Sequence, residues 1–409
     1  MKRHGALFTL LIVCVAAPAL MPALAQQEDL GRTRQGSERT GKFHRAGENA
    51  IPGHYIVVLD QDAAGAQGDL FLTAQKADEL VGKSGGRTTN IYAHAINGFS
   101  AEMSEKQALE LSEDPQVTLV EEDSVMQATA TQTNPPWGLD RIGQANLPLN
   151  QTYGYTATGS GVNVYVIDTG IRRTHTQFGG RAVVGFDAVG DGQNTNDCNG
   201  HGTHVSGTIG GSTYGVAKNV RLFAVRVLNC SGSGTNSGVI AGVDWVTANR
   251  IRPAVANMSL GGGVSTALDT AVRNSITAGV TYSIAAGNSN TDASTSSPAR
   301  VAEAITVGAT TMNDARSSFS NFGSGVDIFA PGSAILSSYF SSDTATATLS
   351  GTSMAAPHVA GVAARFLQNN PSASAATVRN AIVNAAGLNK LSGIPSGTAN
   401  RLLFWSSAN

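Results

Sequence analysis

Three short motifs in this chain carry residue types that can break a bond together. The first is Leu349-Ser350-Gly351-Thr352-Ser353-Met354-Ala355-Ala356-Pro357-His358. A serine hydroxyl is a poor nucleophile at neutral pH and needs a base, a fixed position and a nearby site for negative charge. Gly351 permits a tight turn, and the Ala/Val-rich run from 354 to about 367 reads as a helix. Ser353 then falls at a helix N-terminus, where unpaired N–H groups favour an anion. Pro357 follows within the first turn or so, where a missing N–H costs least. Read alone, Ser353 is first of all a candidate helix N-cap, since serine is a preferred cap residue.

The second and third motifs supply a base and an acid. Val164-Tyr165-Val166-Ile167-Asp168-Thr169-Gly170 sets a carboxylate directly after an apolar strand. A buried carboxylate must be hydrogen-bonded, and a purely structural role for Asp168 stays open at this point. Asn199-Gly200-His201-Gly202-Thr203-His204 opens a helix, with His201 between glycines that allow close backbone approach. The spacing of His201 and His204 admits a metal, but no HExxH or HxxEH pattern and no nearby ligand set completes a zinc shell. His204 therefore reads as a packed or supporting histidine, and His175 and His358 have no comparable context. Asn288, after Ala285-Ala286-Gly287, can offer its amide beside the Ser353 N–H to a tetrahedral oxyanion. Asp168, His201 and Ser353 together make an orienting acid, a general base and a nucleophile. Their chain order excludes an α/β-hydrolase, in which serine comes first and sits in G-x-S-x-G; position 355 here is alanine.

The elements that must position these side chains follow from hydrophobic patterning. Strands over 162–167, 220–227, 254–258, 280–285 and 304–307 alternate with helices after 202, over 239–246 and near 267–278. That alternation predicts an α/β fold with a mostly parallel sheet and helices on both faces. Ligands in such sheets bind beyond the carboxyl ends of the strands. Ahead of this unit, residues 26 to about 50 are polar and read as a linker. A strand over 55–59 is followed by a helix with Leu70, Ala74, Ala77 and Val81 on one face. One or two strands over 91–103 turn at Asn97-Gly98, Ser104 and Gln107 form a capping box, and a strand covers 117–120. The order β-α-β-β-α-β describes a small α+β ferredoxin-like unit. The Thr/Ala-rich stretch 127–132 should be extended and open to proteolysis.

Composition bounds the function. Among 409 residues 14% are charged and the net charge is −2, without the clustered basic face of a nucleic-acid binder. Lys2 and Arg3, an apolar run over 6–17 and Ala23-Leu24-Ala25 read as a secretory signal peptide over 1–25. No later run of 18 apolar residues suggests a membrane anchor. Cys14 lies inside the signal, which leaves Cys198 and Cys230 as a pair in an oxidising compartment. A disulfide between them would stabilise the fold by about 3–4 kcal/mol; two free thiols are the alternative.

The three motifs resemble those of the subtilisin-like serine peptidases, closest to the proteinase K branch and its aqualysin-like secreted bacterial members. The resemblance covers nearly all of 130–404, and the leading unit resembles the family's inhibitor-type propeptide. It implies a signal peptide over 1–25, a linker and propeptide over 26–129 and a subtilisin-like peptidase over 130–409. It further implies a monomeric, extracellular serine endopeptidase made as a zymogen, acting on proteins and peptides. Its propeptide would serve as chaperone and inhibitor and be cut off near Thr129–Ala130. Substrate would lie as an added strand between Gly232-Ser233-Gly234 and Ser259-Leu260-Gly261. The primary pocket would be walled by Ser259, Leu260, Gly261, Ala285, Ala286 and Gly287; none is acidic, so apolar or aromatic residues are expected before the scissile bond. The Cys198–Cys230 pair resembles a disulfide of the aqualysin-like enzymes, whose second disulfide is missing here. Calcium is implied as a structural ion, with no catalytic metal. One site would use Asp327 with the carbonyls of Ala302 and Ala304. A second would use Asp140 and Gln144, with Gly143 standing where aqualysin-like chains carry an aspartate.

Overall fold

The computed structural model describes residues 41–46, 50–60, 68–124 and 130–407. The stretch 1–25 expected to be a signal peptide, most of the expected linker and Thr129 lie outside these described residues. The chain divides into two compact units, Met1–Gln127 and Ala128–Asn409.

In the first unit Ala50–Leu59, Leu70–Ser84, Arg87–Tyr92, Gly98–Glu102, Glu105–Ser112 and Val117–Ser124 follow the β-α-β-β-α-β order. The capping box at Ser104 and Gln107 is formed in both directions. Three expectations need correction. Phe43–His44, inside the stretch read as linker, pairs in parallel with Val117–Ser124, and the Phe43 ring leans on Tyr55 with centroids 6.1 Å apart. A single aromatic in a polar run gives no periodic signal. The bend runs over 94–97 and ends on Asn97, since Gly98 already begins a strand. Leu70 is exposed rather than buried, because the inward stripe starts one turn later, at Thr73, Ala77, Leu80 and Val81.

The second unit is built on nine strands in the order Gly387–Leu388, Arg401–Leu402, Ile328–Pro331, Ile305–Thr310, Val280–Ala285, Ala254–Met258, Asn163–Asp168, Arg221–Arg226, Ala182–Asp187. All neighbours are parallel except the pair at the Gly387–Leu388 edge. The unbroken apolar run at 164–167 is explained by burial on both faces. Val164 and Val166 join one core with Val205, Ile209 and Val359; Tyr165 and Ile167 join the other with Val239, Val243 and Val272. Each such side chain contributes about 1.5–3 kcal/mol of burial. His201–Gly210 and Thr352–Asn369 cover the first face, Asn236–Asn249 and Thr266–Thr277 the second.

Chain order through this sheet locates the crevice. From the central strand Asn163–Asp168 the chain runs to the edge strand Ala182–Asp187 and returns as Arg221–Arg226. It then crosses to Ala254–Met258 on the other side. The reversal lies between the carboxyl ends of Asn163–Asp168 and Ala254–Met258, the switch point at which open α/β sheets bind ligands. The stretch Ala130–Thr133, expected to be extended, is a strand paired with Thr152–Tyr155.

Candidate active site

Asp168 is the last residue of the central strand and is fully buried. Its Oδ1 accepts the Thr169 N–H at 2.7 Å and meets His201 Nδ1 at 2.8 Å. His201 is the first residue of its helix and Gly200 is the N-cap. Gly200 has φ +110°, and a Cβ there would sit 2.4 Å from the Tyr339 ring, so no other residue fits behind the imidazole. Burial works against a charged His201 ring. The charge and hydrogen bond of Asp168, helped by Asp197, outweigh that and hold its pKa above the ordinary imidazole value. His204 does different work: its Nε2 lies 3.0 Å from the Ile335 carbonyl, and burial pushes its pKa down to about 4. It pins the helix to the Ile335–Ser338 strand as a neutral ring.

Ser353 is the second residue of Thr352–Asn369, whose N-cap is Gly351, so it is not itself the cap. Pro357 is the sixth residue, deeper than the first turn. In a regular helix the N–H of residue 357 would bond the Ser353 carbonyl, and proline has none to give. Ser259 fills the gap: its Oγ donates to the Ser353 carbonyl at 2.8 Å. In return Ser353 Oγ donates to the Ser259 carbonyl at 3.1 Å. The Ser353 hydroxyl is thus aimed at that carbonyl.

Asn288 is oriented by its own oxygen. Oδ1 accepts from the Thr352 N–H at 2.8 Å and from Thr352 Oγ1 at 2.9 Å. The amide nitrogen is therefore the group left over, on the side of the pocket that Asn288 shares with Ser353. This pocket encloses about 240 Å³ and its lining includes Leu260, Gly261, Ala285 and Gly287 as expected. Two expected walls fall elsewhere: Ser259 lines the adjoining cleft, and Ala286 is fully buried. Sequence patterning missed Asn321, whose Nδ2 donates to the Ala286 carbonyl at 2.9 Å. It stands where any side chain on Gly287 would go, since a Cβ there would lie 2.4 Å from Asn321 Nδ2. No charged side chain lines the pocket.

The adjoining cleft, about 550 Å³, runs between 231–236 and 259–262. Within the first edge the Ser233 N–H and carbonyl turn back to Asn229, at 3.1 and 2.8 Å. The Gly232 carbonyl and the Gly234 N–H take no part in these turn bonds. Cys198 and Cys230 form a disulfide with Cα atoms 4.9 Å apart, which ties the His201 loop to this edge.

The residue most clearly missed is Asp197. Its buried carboxylate accepts from Thr169 Oγ1 and the N–H groups of Asn199, Gly200 and Thr203 at 2.8–2.9 Å. It also accepts from Thr203 Oγ1 at 2.6 Å. Five donors on one carboxylate lock the turn that presents His201 to the residue after Asp168. The D-x-x-G-H spacing was visible, but nothing local said that the turn folds inward onto its own carboxylate.

The expected calcium positions come out unequally. Asp327 accepts from the Thr306 N–H at 2.8 Å through Oδ2 and from the Arg379 guanidinium through Oδ1. Both oxygens are thus committed, one of them to a cation, and the set expected with Ala302 and Ala304 does not fit a calcium shell. At the other position the Asp140 carbonyl, Asp140 Oδ1 and Asn150 Oδ1 converge on the Gln144 amide. An amide presents nitrogen or oxygen on nearly the same footprint, so this oxygen-rich corner fits a hard cation. Among the described residues no group of three His, Cys, Asp or Glu side chains could hold a metal.

Comparison with known proteins converges on one family. The sequence profile of the subtilase family matches residues 159–402, and that of peptidase inhibitor I9 matches 54–129. The chain is 48% identical to an extracellular serine proteinase of a Thermus species, over 99% of both chains. It is 52% identical to alkaline serine exoprotease A of Vibrio alginolyticus, over 87% of this chain and 68% of that one. Among solved structures, that of a cold-adapted subtilisin-like serine proteinase superposes with a TM-score of 0.65 at 58% identity, covering 66% of this chain and 98% of the other. The chain belongs to the subtilase family and is a subtilisin-type serine peptidase of the proteinase K branch, with an I9 inhibitor segment ahead of its peptidase unit.

Proposed function

We propose that the protein is a secreted endopeptidase that cleaves proteins through an acyl-enzyme, with Ser353 as nucleophile, His201 as general base and Asp168 as the acid that orients it. The observation that carries this reading is the 2.8 Å bond from buried Asp168 to His201 Nδ1, at the carboxyl end of a strand that borders the sheet's switch point. With Nδ1–H given to Asp168, Nε2 is the free lone pair that can take the Ser353 proton. Oγ attacks the peptide carbonyl carbon, and the carbonyl oxygen takes the negative charge. The Ser353 N–H and the Asn288 amide N–H stabilise that charge. The C–N bond then breaks as His201 gives its proton to the leaving amine. Water repeats the sequence through His201 and releases the acid and free Ser353.

Substrate binds as a strand between Gly232–Gly234 and Ser259–Gly261, held by main-chain bonds on both sides. The uncharged pocket beneath Leu260, Ala285 and Gly287 favours an apolar or aromatic residue before the cut; a basic residue would have no carboxylate to meet. The I9 segment supports a zymogen that cleaves itself near Thr129–Ala130, the segment then acting as inhibitor. Calcium, where it binds, is a structural ion held by Asp140, Gln144 and Asn150, and supplies rigidity rather than chemistry.

The test compares casein hydrolysis and propeptide removal in the natural chain and in Ser353→Ala, with and without a serine-directed inhibitor and a chelator. Loss of both activities in Ser353→Ala and with the inhibitor supports the reading. Maturation and digestion by Ser353→Ala would end it.

A further inference from the structure

The Asp327 corner departs from what the subtilase resemblance implies, and the departure has a definite chemical form. Asp327 immediately precedes the Ile328–Pro331 strand, and its carboxylate is largely buried. Its main-chain N–H donates to the Thr306 carbonyl at 3.0 Å, while its Oδ2 accepts the Thr306 N–H at 2.8 Å. The side chain is therefore fixed to the Ile305–Thr310 strand and cannot swing away to serve another site. Oδ1 accepts from Arg379, the fifth residue of the helix Ala375–Ala385. Arg401, on the Arg401–Leu402 strand, adds a second positive charge that acts on the same carboxylate. Four segments meet here, and the one acid among them is bonded to one guanidinium, with the charge of a second within reach.

A divalent cation needs six to eight oxygens and gains most from carboxylate charge. At this corner it would find one carboxylate, already accepting two donors, and the like charge of Arg379 in contact with it. A guanidinium does the same mechanical work by another route. It stays charged at any working pH, its planar fork suits a carboxylate, and it is tethered to the chain. It is therefore lost neither on dilution nor to a chelator.

We propose that Arg379 stands in the place of a divalent cation at Asp327, so that the corner joining the helix Ala375–Ala385 to the sheet is closed by a side chain and needs no calcium. Arg379 is a structural residue in this proposal and takes no part in the reaction. The inference does not depend on the peptidase reading, because its test reads stability and bound metal rather than activity.

The experiment uses the full chain with Ser353→Ala, which removes self-digestion, and adds Arg379→Ala, Asp327→Asn or both. Tm is measured in excess calcium and in chelator, and bound calcium is counted by equilibrium dialysis. Any ion at the Asp140 corner contributes equally to every variant and cancels. With Arg379 present, the calcium-dependent part of Tm should be unchanged by Asp327→Asn. Arg379→Ala should lower Tm in chelator by roughly 5 °C, regain most of it in calcium, and bind one more calcium per chain than its parent. Adding Asp327→Asn should abolish that new response. Arg379→Lys, which keeps the charge, should stay insensitive to calcium. The proposal is overturned if Asp327→Asn removes a calcium response that the parent already has. It is equally overturned if Arg379→Ala gains neither a calcium-dependent Tm nor an additional bound ion.

Discussion

Ser259 and Ser353 hold each other by two reciprocal hydrogen bonds, each hydroxyl donating to the other's main-chain carbonyl, at 2.8 and 3.1 Å. The pairing exists because Pro357 leaves the Ser353 carbonyl without its helical donor. It couples the segment that forms one edge of the cleft to the serine at the helix start.

Ser259→Ala should strand the Ser353 carbonyl, at a cost of about 1–3 kcal/mol. Stability in denaturant should fall by that amount, and kcat should fall with it as the serine loses its fixed position. Pro357→Ala supplies an N–H to the same carbonyl. Combined with Ser259→Ala it should recover most of the stability, which a double-mutant cycle reads as strong non-additivity.

Asn288→Ala should lower kcat by about 10²–10³, the size of loss that a missing oxyanion donor produces in a subtilisin, with KM little changed. The bonds from Thr352 to Oδ1 keep the native amide facing the pocket. Asn288→Asp would keep the oxygen that accepts both Thr352 bonds and replace the donor by negative charge, so it should lose more activity than Asn288→Ala. Steady-state kinetics on a peptide anilide compare the three directly.

Activity requires neutral His201. Because Asp168 and Asp197 hold its pKa above the ordinary imidazole value of about 6.5, kcat/KM should rise with pH through a midpoint above that value. The same shift has the opposite sign for stability. The charged ring's contribution is fully present below the unfolded imidazole pKa and is lost as pH rises through the folded one. Asp197→Asn removes a negative charge from behind the ring and should move the kinetic midpoint to lower pH. It should also reduce kcat, since an amide cannot accept all five donors of the turn. A merely structural Asp197 would lower kcat and leave the midpoint in place.

Reduction of Cys198–Cys230, or replacement of both by serine, should cost about 3–4 kcal/mol of stability, since the bridge joins positions with a sequence separation of 32. The bridge joins the His201 loop to the 231–234 edge, so KM for extended peptides should rise more than for a short anilide that contacts only the primary pocket. Comparison of the two substrates before and after reductant gives the answer.

Much of this was legible in the chain because it depends on local pattern. Asp168 could be placed at a strand end from the apolar run before it, and Ser353 near a helix start from Gly351 and the Ala/Val run after it. What could not be read depends on residues far apart in sequence. Asn321 fills the space beside Gly287, Ser259 answers a gap made by Pro357, and Arg379 reaches Asp327 from a helix some fifty residues on. Each is a polar side chain whose partner is set by packing, and no periodicity marks it. Phe43–His44 and the exposed Leu70 illustrate a smaller limit: a two-residue strand and the first turn of a helix carry too few positions for a pattern to show.

The central claim is that Ser353 attacks because His201 takes its proton. Inactivation with a serine-directed phosphonofluoridate, followed by peptide mapping and mass measurement, tests it most directly. One adduct per chain on Ser353, forming at least about 10³-fold more slowly in His201→Ala, is the predicted result. An adduct on another residue, or labelling of Ser353 at an undiminished rate without His201, would contradict it.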